Sequence, residues 1–164
     1  MMAKYGRKII GWDEILEGGL SPEATVMSWR GTSGGISAAL QKHDVIMTPG
    51  SGGLYLDHYQ GDYKIEPVTI PSAPAYLSKT YNYEPVPDTI KSLGLEKHIL
   101  GVQCNNWSEY MYTNAKMEYQ MYPRSLALAE IAWSPAKKKN FTDFARRVDA
   151  NSVRLDERHV TASD

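Results

Sequence analysis

Four short apolar runs punctuate the chain, and each closes on polar or aromatic residues. They are Lys8–Trp12, Thr25–Trp29, Asp44–Thr48 and His98–Cys104. Continuous, β-branched runs of this length predict buried parallel strands rather than half-exposed ones, which would alternate. A helical spacing appears between or after them. Ser33 to Gln41 predicts a short crossover helix, weakened by Gly34 and Gly35. Asn114 to Ala132 is a longer helical stretch, with Met117, Met121, Leu128, Ile131 and Ala132 mostly three or four apart and Pro123 marking a start or a kink. A last helix is expected from Phe141 to about Leu155, with Phe141, Phe144, Ala145 and Val148 as its apolar stripe and Asn140 as its cap. Short strands alternating with helices predict an α/β fold.

The interval from Ser51 to Leu93 breaks this rhythm. It is rich in Tyr, Pro and Gly and has little periodicity, and such long loops are often functional. No repeat, low-complexity tract or linker interrupts the chain, so residues 1–164 are expected to form one domain. In (β/α) architectures chemistry collects where strands end and in the loops that follow. Trp12 and Trp29 end the first two runs, Trp107 follows the last, and the third leads to Tyr55 and Asp57.

Composition narrows the field without choosing within it. Eighteen basic and 19 acidic residues give a net charge of −1, and no basic cluster is large enough for a nucleic-acid footprint. Lys137, Lys138 and Lys139 read as a solvated loop between helices. Cys104 is the single cysteine, so no internal disulfide is possible, and it reads as an inert buried thiol. The first ten residues lack the apolar core of a secretion signal, and no run is long enough to span a bilayer, so a soluble protein without a membrane partner is expected. His43, His58, His98 and His159 show no metal-ligand spacing, with each other or with Cys104. The Gly31–Gly35 segment matches neither a P-loop nor a dinucleotide fingerprint. Eleven Tyr and four Trp beside two Phe suit a cleft that is partly wet and partly stacked.

Within that frame Trp12, Trp29 and Trp107 are candidates for an aromatic box, suited to the C–H face of a sugar or to an acetamido methyl. Trp133, at the end of a helix stripe, reads instead as structural. In an extended segment Tyr55 and Asp57 would share one side, with Leu54 and Leu56 opposite. A phenol beside a carboxylate suits a carbonyl oxygen and a hydroxyl. Trp107 and Glu109 repeat the arrangement, the carboxylate again two residues beyond the stacking group. Asp13 and Glu14 are tested as a glycosidase acid pair, whose members stand about 5–9 Å apart. Nothing local raises either pKa, so a bracing role is favoured. Arg30 is assigned no role beyond bracing its loop.

Five blocks in order carry a resemblance: GWDEI at 11–15, VMSWRG at 26–31, LYLD at 54–57, GVQCNNWSEY at 101–110 and YPRSLALAEIAWS at 122–134. Together the blocks resemble the family 20 glycoside hydrolases, the β-N-acetylhexosaminidases. The resemblance implies a (β/α)8 TIM barrel. It implies retaining hydrolysis of terminal N-acetylglucosamine or N-acetylgalactosamine from glycans, with the substrate's own acetamido oxygen as nucleophile and with no metal or organic cofactor. By position, Tyr55 is implied to hold that oxygen and so to be catalytic. Trp12, Trp29 and Trp107 are implied to wall the sugar, and Asp57 and Glu109 to bind its distal hydroxyls.

The same resemblance implies that the four strands are about strands 5–8 of the barrel. The family's catalytic Asp-Glu pair then falls on the strand before GWDEI and outside this chain, since Asp13-Glu14 belongs to GWDEI itself. A fragment of a hydrolase, inactive by itself, is expected; the alternative is a non-catalytic carbohydrate-binding or structural fragment. Asn106 departs from the family, which commonly has Leu or Met before the third wall Trp. Half a barrel exposes two sheet edges, so its expected partners are the missing N-terminal half or a second copy, besides the glycan. A periplasmic, extracellular or lysosome-like compartment would suit the full-length protein.

Overall fold

A computed structural model describes residues 2–163. The chain divides into two compact units, one formed by residues 1–51 and 84–103 and the other by residues 52–83 and 104–164.

The first unit holds the sheet. Its strands are β1 (Ile10–Trp12), β2 (Thr25–Ser28), β3 (Val45–Met47) and β4 (Ile99–Val102), all parallel and hydrogen-bonded in the order β1-β2-β3-β4. All four apolar runs are therefore strands, each shorter at its ends than the run that announced it. The order and the flanking helices are those of a partial (β/α)8 barrel. The central strands are sealed: Val26, Ser28, Val45 and Met47 have no exposed surface. Ile10 in β1 and Leu100 in β4 are instead 58% and 59% exposed. Leu100 sits at an irregularity, since Val45 pairs with Ile99 but Ile46 with Gly101.

Helix α1 (Ser33–Leu40) packs on β2 and β3. The two glycines that weakened the helix prediction are what let it approach. A Cβ on Gly35 would lie 2.7 Å from Met47 Sδ, and one on Gly34 2.7 Å from Asp13 Oδ2. The Gly35 amide donates to Ser28 Oγ at 2.8 Å, which ties the helix start to the end of β2. The irregular interval also contains α3 (Asp88–Ser92), entered through Pro87 and anchored by buried Ile90.

The second unit is built on α2 (Leu77–Asn82), α4 (Asn114–Met121), α5 (Arg124–Trp133) and α6 (Phe141–Glu157). The expected long helix is two helices separated at the Tyr122–Pro123 bond, which is cis. Pro123 lacks the N–H that would continue α4. The expected stripe fails with it, because Met117 and Ala132 are exposed. The face that α5 buries is Arg124, Ala127 and Ile131, and α4 buries Gln120. Trp133 is 89% exposed, so its expected packing role is corrected: it closes α5 on the side away from Ala127 and Ile131.

Helix α6 keeps its predicted cap, as Asn140 Oδ1 accepts from the Asp143 amide at 3.1 Å. Its Phe144 stacks on Tyr81 of α2 with centroids 4.6 Å apart, beside buried Ala127. The Tyr81 hydroxyl is not wasted in this cluster, since it accepts from the Asn140 amide at 2.7 Å. No helix among the described residues is long and apolar enough to cross a membrane.

Candidate functional site

The six predicted site residues divide between the units. Trp12 and Trp29 belong to the first, and Tyr55, Asp57, Trp107 and Glu109 to the second.

In the first unit Trp12 ends β1 and Trp29 follows β2, so both leave the same end of the parallel sheet. A short 3-10 helix, Asp13–Glu17, begins directly after Trp12. Asp13 is buried. Its Oδ2 accepts from the Trp29 amide at 3.2 Å, and its Oδ1 from Arg30 Nε at 2.6 Å. Arg30 also reaches Glu17 at 3.3 Å, which is the bracing expected of it. Glu14 is exposed and accepts the indole N–H of Trp29. That hydrogen bond holds the Glu14 carboxyl below its ordinary range, the reverse of what a general acid needs. Asp13 and Glu14 thus fix the pose of Trp29 and its loop.

In the second unit the segment carrying Tyr55 and Asp57 is not extended throughout. Tyr55 makes a parallel bridge to Asn105, flanked by Leu56 N to Asn105 O at 2.7 Å and Asn105 N to Leu54 O at 2.9 Å. The chain then turns, with the His58 amide reaching back to Tyr55 O at 3.4 Å. The expected alternation is corrected by this turn: Leu54, Leu56 and Asp57 are all buried, while Tyr55 is half-buried, its ring edge-on to His58 at 5.6 Å. The turn is held from behind. Thr69 Oγ1 donates to Asp57 O, and the Arg124 guanidinium donates to Leu56 O and to His58 O.

Asp57 is 1% exposed, and neither carboxylate oxygen meets a donor in full hydrogen-bonding geometry, although the amides of Asp57 and Trp107 lie near enough to favour its charge. Burial pushes its pKa up to about 6, the nearby Glu109 charge adds to the rise, and the amides of Asp57 and Trp107 and the Arg124 charge oppose it. Burial, followed by the charges of Arg124 and Lys79, lowers the His58 pKa. Trp107 and Glu109 are exposed, on a turn closed by the Met111 amide on Ser108 O at 3.1 Å. Glu109 makes no salt bridge among the described residues. Burial also lifts the Cys104 thiol to about 12, in keeping with an inert cysteine. The side-chain amide of Asn106 is buried at both ends without a partner.

Sequence reasoning missed Arg124, Gln120 and Thr69. A charged residue at a helix start reads as solvated, and only its place inside the YPR block set Arg124 apart.

The catalytic domain of glycosyl hydrolase family 20 matches residues 1–136. The chain belongs to glycosyl hydrolase family 20. It is 59% identical over 158 residues to a beta-hexosaminidase of Porphyromonas gingivalis, covering 95% of this chain and 20% of that protein. A beta-hexosaminidase of Vibrio furnissii is 34% identical over 129 residues, covering 78% of this chain and 21% of its own length. The chain thus spans about a fifth of the length of these relatives. Among solved structures, the family 20 exo-β-N-acetylglucosaminidase of Vibrio harveyi, in complex with N-acetylglucosamine, superposes with a TM-score of 0.91 at 29% identity, covering 99% of this chain and 26% of that one.

Proposed function

We propose that this chain is the second half of a family 20 catalytic barrel, with β1–β4 as about strands 5–8 and residues 1–164 within one catalytic domain. It contributes sugar-binding residues to a retaining β-N-acetylhexosaminidase. The observation that carries this reading is Asp57. A carboxylate 1% exposed whose oxygens have no fully formed hydrogen bond, and only the nearby amides of Asp57 and Trp107 to favour its charge, is an expensive arrangement that donors from a ligand would relieve. Sugar hydroxyls are such donors, and Glu109, close enough to raise the Asp57 pKa, offers further acceptors.

In this reading Trp12, Trp29 and Trp107 wall the sugar and its N-acetyl group. Asp57 and Glu109 take hydroxyl protons of the terminal N-acetylhexosamine. Tyr55 donates its phenol to the acetamido oxygen, orienting it toward the anomeric carbon. Attack there forms the carbon–oxygen bond of an oxazolinium while the glycosidic bond breaks. The leaving oxygen takes its proton from an acid that this chain does not supply. Water then opens the ring with retention. Holding the nucleophile in line is worth several kcal/mol, on the order of what well-oriented intramolecular reactions gain. The exposed edge residues Ile10 and Leu100 support a sheet meant to be continued on both sides.

The test is hydrolysis of a chromogenic β-N-acetylglucosaminide by the chain alone and mixed with the separately produced upstream part of the barrel. Activity only on mixing is the expected result. Turnover by the chain alone would refute the external acid. No turnover from two folded parts would favour a carbohydrate-binding fragment without catalysis.

A further inference from the structure

We propose that Arg124 is a positioning residue for the sugar site: its guanidinium clamps the backbone on both sides of Asp57 and sustains the carboxylate's charge without occupying either oxygen. The proposal rests on the reading of Asp57 as a sugar ligand.

Among the described residues Arg124 is the largest fully buried side chain, with no exposed surface. A buried arginine is ordinarily paired with a carboxylate. Arg124 makes no salt bridge among the described residues. Its acceptors are neutral. Nη1 donates to His58 O at 3.2 Å and to Ala75 O at 3.1 Å. Nη2 donates to Leu56 O, to Gln120 O at 2.7 Å and to Gln120 Oε1 at 3.2 Å. These acceptors come from three separate stretches of chain, and two of them, Leu56 and His58, flank Asp57. A planar fork reaches such divergent carbonyls; a lysine ammonium, with three donors on one atom, does not span them.

The charge matters as well as the fork. A direct bidentate pair with Asp57 would use the acceptor sites that a ligand needs. Arg124 instead acts on Asp57 at a distance, adding to the larger effect of the Asp57 and Trp107 amides in favouring the ionised form against burial and against Glu109. The influence is mutual. Burial lowers the Arg124 pKa to about 10, and Cys104, Glu66, Asp57 and Tyr119 oppose that fall. His58, beside Asp57, feels Arg124 and Lys79. The charged and titratable groups around the pair are thus Glu109, Glu66, His58, Lys79, Lys116, Cys104 and Tyr119.

Nuclear magnetic resonance of the whole chain separates the two roles. The Asp57 carboxyl carbon and the Arg124 guanidinium nitrogens are followed from pH 4 to pH 8, and N-acetylglucosamine is titrated at pH 7.5. In the wild type the guanidinium signals should inflect at the Asp57 midpoint. Arg124→Met should raise that midpoint, modestly because the Arg124 charge is the smallest of its influences, and weaken the sugar at least about tenfold through loss of the clamp. Arg124→Lys should keep the midpoint near the wild-type value yet still lose affinity, since it retains charge without the fork. Guanidinium signals indifferent to Asp57 would overturn the coupling, and this readout needs no variant to fold. A folded Arg124→Met with wild-type midpoint and affinity would overturn the proposal entirely. An Asp57 signal that ignores N-acetylglucosamine in the wild type would instead sink the sugar reading, while the shared titration still decides whether Arg124 governs Asp57.

Discussion

The indole Nε1 of Trp29 lies 3.0 Å from each carboxylate oxygen of Glu14. One donor thus sits astride a carboxylate from the preceding loop, and the ring of Trp29 is oriented by it. Trp29→Phe keeps most of the ring and deletes the donor. The Glu14 pKa, now depressed chiefly by this bond, should move back toward its ordinary value, as read from its carboxyl carbon in a pH titration. A depressed folded-state pKa stabilises the protein above the unfolded value and loses that effect as pH falls through the folded one. The stability gap between wild type and variant should therefore narrow on acidification. An unchanged Glu14 midpoint in Trp29→Phe would show that the bond carries no weight.

Gly34→Ala should destabilise the protein, although alanine is the better helix former by about 1 kcal/mol. The added Cβ would stand 2.7 Å from Asp13 Oδ2 and 2.9 Å from Asp13 Cβ. Asp13 cannot yield freely, because it holds the Trp29 amide and Arg30. The expected cost is about 1–3 kcal/mol, the usual range for overpacking, measured by urea denaturation. A neutral or stabilised variant would mean that α1 shifts without penalty.

With the proposed sugar role, Asp57 would link stability and binding with opposite signs. Its folded pKa of about 6 stands above the ordinary 3.8. Such a group stabilises the fold below the unfolded value and loses that contribution as pH rises through the folded one. Asp57→Asn should therefore match the wild type near pH 3.8, gain on it up to pH 6 and remain the more stable above. Chemical denaturation across that range measures the difference. The same variant should bind N-acetylglucosamine more weakly at pH 7.5, and wild-type affinity should fall as pH drops through about 6. A variant that is less stable at pH 7.5 would show that the native carboxylate is already well paired.

The sheet was legible because its signal is local. Val26, Met27, Val45 and Ile46 are apolar in short runs, and a parallel strand in the middle of the sheet requires little else. The break at Pro123 was half legible, since proline offered either a start or a kink and the chain uses two helices. The turn at Asp57 was not legible, because it depends on Thr69 and Arg124, which lie far away in sequence and donate to its carbonyls. Hydrophobic periodicity cannot find Gln120 and Arg124 in a buried position, since both are polar and hydrogen bonds compensate much of their burial, with only Gln120 Nε2 and Arg124 Nε left unpaired. Trp133 misled for the opposite reason: a large apolar ring at the end of a stripe has no sequence mark that separates it from its buried neighbours.

The strand order has a consequence for assembly. β1, β2 and β3 follow one another after short connections, whereas β4 joins β3 only after the stretch from Thr48 to His98. Closing a longer loop costs more entropy, though only logarithmically with length. Pairing β4 with β3 therefore costs more chain entropy than pairing the first three strands. Tyr55 and Asp57 lie inside that segment, and the bridge from Tyr55 to Asn105 forms just beyond β4. Tyr55 and Asp57 thus belong to the long connection that must be closed before β4 can join β3, and the Asn105 bridge ties that connection down beside the strand's end.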